Sequence, residues 1–395
     1  MRAAVATPPL SSITPPQIKG WCPGALRPML SGDGLVVRVR PHAGQLTSAQ
    51  AAGIAALSLR YGNGWLDLTS RANLQLRGVA PENHAALLQG LEKLDLLDGS
   101  ADSESRRNIL VSPFWQADDG TQHIATALAR ALAAADAPAL PGKFGFAVDC
   151  GAQAVLRDSP ADIRIERGPF GYTVRADGYA TGASVSANEA VPAAMALADW
   201  FLAQRGELTR VAALAPLHAL PERFRTVTDC VPSASRPQPG PVSAGWLVGA
   251  EFGQLHADTL AALSTLGPLR MTPWQLLLVV DLQQAPAIPG LVTQANDARL
   301  RVVACTGAPG CLQAAAATRP LARALAPHVP AGRLLHVSGC SKGCAHPRAT
   351  LTLVATPAGF NLIRHGTAAS APDLLALPPE TIASFLPPIF HAPPI

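Results

Sequence analysis

One half of this chain repeats the other, and the repeat limits the fold more than any single motif does. Segment 34–40 alternates as a half-buried strand does, Gly44-Gln45-Leu46-Thr47 leads into a helix over 48–60, and 65–69 and 74–77 read as two further strands. The same order returns with a strand over 246–251, Gly253-Gln254-Leu255 entering a helix over 258–266, and strands at 269–272 and 276–280. Gly44 and Gly253 lie 209 residues apart, and Thr69 and Thr272 lie 203 apart. Strands at 108–114, 143–149, 162–166 and 172–176, with helices at 124–135 and 189–204, follow in the first half. Strands at 300–304, 334–337, 350–355 and 360–364, with helices at 319–326 and 380–385, match them in order. A duplicated α/β chain packed about a pseudo-twofold axis accounts for this steady offset. The Pro-, Ser- and Gly-rich segment 231–244 cannot make a helix or a central strand and reads as the linker between halves.

The copies differ in their chemistry. The second carries Cys305-Thr-Gly-Ala-Pro-Gly-Cys311 and Cys340-Ser-Lys-Gly-Cys344, two close pairs with 28 residues between them. Four thiolates on two glycine-bearing loops suit one inorganic centre, because glycine lets each loop turn both of its cysteines the same way. Spacing alone leaves an iron–sulfur cluster, a zinc ion and unliganded thiols open. The lack of the two-residue gap typical of zinc ribbons favours the cluster. The first copy has Asn108 and Lys143 at the same 35-residue spacing as Cys305 and Cys340, so this reading sets a cationic anion site of copy one opposite a redox centre of copy two.

Composition removes several classes. The net charge is +4 with 15% charged residues, no Lys or Arg run occurs, and 19 aromatics are dispersed, so no nucleic-acid partner is expected. Seven cysteines, with Cys22, Cys150 and Cys230 isolated, do not form a secreted disulfide framework. Cys22 reads as a small core residue. The N-terminus lacks the apolar core of a signal peptide, and no run reaches the ~20 apolar residues of a membrane helix. A cytoplasmic chain with no membrane partner is the expectation.

The cysteine spacings, Thr69-Ser-Arg-Ala-Asn-Leu-Gln-Leu76, Arg107-Asn108 and Leu140-Pro-Gly-Lys-Phe144 resemble the sulfite and nitrite reductase haemoproteins over most of the chain. That resemblance implies an α/β (α+β) fold with two ferredoxin-like half-domains, at 20–100 and 245–295. Two α/β domains accompany them, at 101–230 and 296–395, with the linker at 231–244. It also implies a [4Fe–4S] cluster on Cys305, Cys311, Cys340 and Cys344, the last of which bridges to sirohaem in the reductases. Trp21-Cys-Pro-Gly-Ala-Leu-Arg-Pro-Met29, Ser31-Gly-Asp-Gly-Leu35 and His336-Val-Ser-Gly-Cys-Ser-Lys-Gly-Cys-Ala-His-Pro347 are similar to one branch of the family, which acts in aerobic cobalamin biosynthesis. Lys342 replaces the reductases' usual asparagine, and Gly145 stands where they carry a second lysine. Both departures count against a sirohaem-dependent sulfite or nitrite reductase, which stays as the alternative.

What this branch implies is a mono-oxygenase step: meso-carbon hydroxylation of the anionic tetrapyrrole precorrin-3A with γ-lactone closure. Dioxygen and an NADH-linked or ferredoxin-like electron donor would be its partners. Arg71, Arg107 and Lys143 are the expected catalytic cations. Arg38, Arg40 and Arg77 are expected substrate contacts, because a guanidinium fork suits carboxylates, and Asn73 and Asn108 join them as polar groups that orient the bound arms or ring. Arg106 reads as a residue that solvates one side of a sheet, and Arg27 is unassigned. A mononuclear non-haem iron is the further cofactor implied by the branch. His346 is its first candidate ligand, ahead of His336 and His365.

Overall fold

The computed structural model describes residues 22–226 and 231–391. Trp21, Cys230 and the N-terminal stretch read for a signal peptide lie outside the described residues.

Two antiparallel sheets form the centre. In the first, Met29–Ser31, Gly34–Val39, Leu74–Val79 and Trp65–Leu68 are neighbours in that order, and Gln254–His256 of the second half pairs at the edge. In the second, Gly240–Val242, Gly245–Ala250, Leu276–Val280 and Leu269–Met271 are completed by Gln45–Leu46 of the first half. Each half thus lends the other a strand, with Leu255 opposite Leu66 and Leu46 opposite Leu269. Helix Ser48–Tyr61 packs against helix Ala257–Ser264 across the same junction. The first helix starts at a capping box, in which Thr47 Oγ1 accepts from the Gln50 amide and Gln50 returns the bond to the Thr47 N–H. Val37, Leu46, Ile54, Leu66 and Leu76 share one core with Leu247, Leu255, Leu260 and Leu277. The strand exchange makes this core indivisible.

Backbone conformation repeats with the elements. Ala43 and Phe252 have φ of 48° and 55°, the adjacent Gly44 and Gly253 have 70° and 69°, and Ala72 and Gln275 have 52° and 63°. Left-handed non-glycine residues are uncommon, so their return at the offsets of the motif repeat is a strong mark of duplication. The proline-rich stretch ends in Gly240–Val242, an edge strand, which is where a sheet tolerates Pro241.

Each half also carries an α/β domain. Ile109–Val111, Phe146–Asp149 and Ile163–Gly168 are parallel, and Gly171–Ala176 and Gly182–Val185 continue the sheet antiparallel. Val302–Ala304, Leu335–Ser338, Thr350–Thr356, Gly359–Gly366 and Leu374–Leu377 repeat that topology. Helices Thr121–Ala133 and Ala187–Gln204 cover the first sheet, and Arg319–Leu325 and Pro379–His391 the second.

This topology corrects one equivalence drawn from spacing. Asn108 and Lys143 precede the strands Ile109–Val111 and Phe146–Asp149, whereas Cys305 and Cys340 follow Val302–Ala304 and Leu335–Ser338. The equal intervals mark opposite ends of matching strands, not matching positions.

Candidate functional site

The cysteine loops are stitched together by their own backbones. Cys305 and Cys340 follow parallel neighbouring strands, whose ends are where connecting loops of α/β sheets commonly hold ligands. The Cys305 N–H donates to the Val337 carbonyl and the Ala315 N–H to the Gly339 carbonyl. Ser338 Oγ donates to the Cys340 carbonyl at 2.7 Å and Thr318 Oγ1 to the Cys305 carbonyl at 2.7 Å. The Gly339 N–H points at Cys305 Sγ, 3.1 Å away. A Cβ at Gly339 would stand 2.6 Å from that of Ala314, so only glycine lets the loops meet this closely. Burial pushes the Cys340 and Cys344 thiols upward, and the neighbouring thiol groups reinforce the shift, as expected where thiols converge.

The four thiols lie close enough to act on one another's charge, as a centre held by all four would require. Zinc draws thiolates to ~2.3 Å from a single centre. Among the described residues, no three His, Cys, Asp or Glu side chains lie close enough together to hold one metal ion. A cluster core is larger and takes its thiolates at wider separation. The same observation bears on His346, whose ring lies 5.9 Å from that of His336 at 63°. Burial, then Arg348 and Arg236, lowers its pKa. Its charged neighbours are therefore cations, and the described residues around it do not compose a two-histidine, one-carboxylate set.

The first half-sheet adjoins the cysteine loops. The Gly32 N–H, Ser31 Oγ and Arg77 Nη2 all donate to the carbonyl of Gly310, next to Cys311. Arg77 also grips Asp33 through Nε and Nη2, at 3.0 and 2.7 Å, and lies 3.5 Å from Asp67. It is a strut between the half-sheet and the cysteine loop, engaged on every side. Arg107 is likewise held bidentately by Asp98 at 2.6 and 2.8 Å, and gives a further bond to the Arg40 carbonyl. Arg40 pairs with Glu104 at 3.2 Å, and Glu104 in turn receives the N–H groups of Ala25 and Leu26. Burial first, moderated by Glu104, brings Arg40 down to about 10. Arg106 donates to the carbonyls of Leu132 and Ala134.

Three other cations are differently placed. Arg38 is buried, takes the Gln75 side-chain oxygen at 2.9 and 3.3 Å once that amide is oriented by its neighbours, and keeps Nη1 without a partner. Arg71 stands on a turn set by Thr69, whose Oγ1 accepts from the N–H groups of Arg71 and Asn73. Its Nη2 donates to the Lys143 carbonyl at 2.9 Å, and burial lowers its pKa. Lys143 is exposed, on a loop clamped by Asn108 Nδ2 to the carbonyls of Gly142 and Phe144. The Gly145 position explains part of this layout, since a Cβ there would stand 3.3 Å from Arg71 Nη1. Cys22, read from sequence as a core residue, is half-buried and lies beside both Arg38 and Arg71. Arg236 and Arg348, near His346, carried no sequence signal; Arg236 falls in the stretch read as linker and bonds the Trp274 carbonyl at 3.2 Å.

Fold and site together define a class, the sulfite and nitrite reductases. Residues 27–94 match the model of the nitrite/sulfite reductase ferredoxin-like half domain. The structure resembles that of the Mycobacterium tuberculosis NirA protein with a TM-score of 0.55 at 16% identity, over 91% of this chain and 81% of that one, a likeness of fold. A ferredoxin–nitrite reductase of Synechococcus elongatus is 26% identical over 82% of this chain and 76% of its own length. The precorrin-3B synthase of a Sinorhizobium species is 31% identical over 90% of this chain and 84% of its own. The chain belongs to the sulfite and nitrite reductase haemoprotein family, in the branch of precorrin-3B synthase.

Proposed function

We propose that this chain converts precorrin-3A to precorrin-3B in aerobic cobalamin biosynthesis, as a cytoplasmic mono-oxygenase. One atom of dioxygen ends as a hydroxyl on a meso carbon, and an acetate oxygen bonds the ring carbon beside it to close the γ-lactone. The other oxygen atom leaves as water, with two electrons and two protons from an NADH-linked or ferredoxin-like donor.

The observation that carries this reading is the division among the cations. Arg77, Arg107 and Arg40 each pair with a carboxylate inside the fold, even though Arg40 also has buried nitrogens without a hydrogen bond. Arg38, by contrast, has no ion pair among the described residues and keeps an unpaired buried Nη1 beside Arg71 and an exposed Lys143. A polycarboxylate ring suits such a set, because a guanidinium with free donors gains most from a carboxylate. Arg38 and Arg71 orient carboxylate arms, and Lys143 adds charge at the solvent side. Asn108 holds the Lys143 loop in place, and the backbone N–H of Asn73 closes the Thr69 turn that carries Arg71.

Cys305, Cys311, Cys340 and Cys344 would hold a [4Fe–4S] cluster, which supplies single electrons when bound. The residues around His346 do not fit a mononuclear iron, and no step is assigned to one. The test is turnover of precorrin-3A by anaerobically loaded protein under 18O-labelled dioxygen, with iron, zinc and acid-labile sulfide assayed in parallel. Product carrying one labelled oxygen is expected. Sirohaem absorption bands with reduction of sulfite or nitrite, and no labelled product, would make the protein a reductase instead.

A further inference from the structure

His336 has no evident role in the site just described, yet it is the least satisfied polar side chain near it. It is completely buried, and neither Nδ1 nor Nε2 has a hydrogen-bond partner. Strand Leu335–Ser338 explains which way the ring faces. Leu335 and Val337 belong to the core under the domain's helices, so His336 and Ser338 lie on the opposite face. From that face Ser338 holds the Cys340 carbonyl. The neighbouring strands offer the ring no partner. Val303 stands on one side, and on the other Thr352 spends its hydroxyl on the carbonyls of Thr350 and Gly366.

The loop that covers the ring is the cysteine loop. The Cε1 corner of the imidazole, flanked by both nitrogens, lies 3.6 Å from where a Cβ of Gly343 would stand. Gly343 has a φ of +62°, and a Cβ there would also press the Ala368 methyl at 3.0 Å, so glycine seats the loop directly on the ring. Cys344 is the next residue. In the other copy the second residue of the matching strand is Ala147, which lies in the apolar core. The imidazole is therefore a feature of the cysteine-bearing copy alone.

A neutral imidazole brings one donor and one acceptor, and buried polar groups left without partners commonly mark an ion or cofactor site. We propose that His336 is a positioning residue for the cluster, its ring N–H donating to a sulfur of the cluster–thiolate assembly beside Cys344. The proposal rests on the iron–sulfur reading above. Such a bond stabilises the reduced, more negative cluster, and so raises its reduction potential.

The test is a potentiometric titration of loaded protein followed by electron paramagnetic resonance, on wild type, His336→Leu and His336→Asn. At a fixed potential, the ratio of reduced to oxidised cluster in His336→Leu should be about tenfold lower than in wild type, a shift of 59 mV for a one-electron couple. His336→Asn keeps an N–H and should recover part of that shift. If the leucine variant precipitates, His336→Phe, flat and without a nitrogen, takes its place. A full complement of iron and sulfide with an unchanged potential and spectrum in the leucine or phenylalanine variant would overturn the proposal. Wild-type protein that binds neither iron nor sulfide would overturn the cluster reading, and this proposal with it.

Discussion

Duplication has built the same mouth twice, and the two are filled in opposite ways. In the first half-domain a threonine turn presents Arg71; in the second the equivalent turn presents Trp274, with Thr272 Oγ1 accepting from the N–H groups of Trp274 and Leu276. Trp274 stacks on Phe114 at 6.3 Å and 19°, just past the first strand of the first α/β domain. Arg270 closes the same region, lying 3.5 Å from the centroid of Trp115 and donating to the carbonyls of Pro113 and Trp115. The counterparts in the other copy are the cysteine loops, which follow the matching strands, and the Arg71 turn, which bonds the Lys143 carbonyl. One region is filled by its own aromatic and cationic side chains, while its counterpart presents thiols on the loops and a guanidinium on the turn. A duplicated frame needs only one working copy, and the idle one gains stability by filling itself.

The largest break in this comparison is removal of a thiolate. Cys344→Ser should abolish the cluster and with it all oxygen-dependent turnover, measured as acid-labile sulfide and product on the same sample. Retention of full sulfide would show that Cys344 is not a ligand.

Next in size is the difference between struts and binders on the working side. Arg107→Ala leaves Asp98, whose side chain is only 9% exposed, without its partner. Losing one member of a buried pair typically costs about 3–5 kcal/mol, so the melting temperature should fall sharply. Arg71→Ala should leave that temperature nearly unchanged while weakening precorrin-3A binding by about 1.5–3 kcal/mol, the range for hydrogen bonds to charged groups. The two variants, compared by calorimetry and ligand titration, should be mirror images. If Arg107→Ala instead loses binding at full stability, the division drawn here is misplaced.

That division explains what the sequence could and could not convey. The repeat was legible because strand alternation and the Gly-Gln-Leu entries to both helices are local. The cysteine loops were legible because their spacing is local too. Which arginine stays free was not, because two of the three deciding carboxylates are remote, Asp33 lying 44 residues from Arg77 and Glu104 64 from Arg40, and even Asp98, nine residues from Arg107, reaches it only through the fold. The exchanged strands Gln45–Leu46 and Gln254–His256 are too short to announce a partner in the other half. Equal intervals from Asn108 to Lys143 and from Cys305 to Cys340 misled, because an interval carries no record of which end of a strand it marks.

The paired threonine turns offer a smaller and more symmetric test. Thr69→Ala and Thr272→Ala each leave two backbone N–H groups without an acceptor, at a cost of about 1–3 kcal/mol where the groups are buried. Both variants should therefore lose stability in urea titrations. Only Thr69→Ala should also raise the KM for precorrin-3A, since its turn carries Arg71 and its counterpart carries Trp274. An equal effect on KM from both would mean that the sealed mouth takes part in binding.

The smallest effect separates the thiols of the two copies. Cys150 directly follows strand Phe146–Asp149, yet it is fully buried with Sγ toward the Ile165 carbonyl, 3.8 Å away. Burial, reinforced by Asp119 and Asp149, pushes its thiol from an ordinary 9.0 up to about 12. An acid whose folded pKa lies above its unfolded one contributes stability below the unfolded value and loses it as pH rises toward the folded one. Between pH 9 and 12 the unfolded chain releases this proton and the folded chain keeps it, so alkali destabilises the fold by about 1.4 kcal/mol at pH 10 through this group. Cys150→Ala should abolish that increment, flattening the fall in stability between pH 9 and 10 relative to wild type. Iodoacetamide at pH 8.5 (roughly the pKa of a free thiol) should label the cluster cysteines of iron-depleted protein and spare Cys150 until the chain unfolds. Rapid labelling of Cys150 in the folded protein would mean that this copy retains an accessible thiol past the strand as well, and the contrast between a sealed and a working mouth would fail at that position.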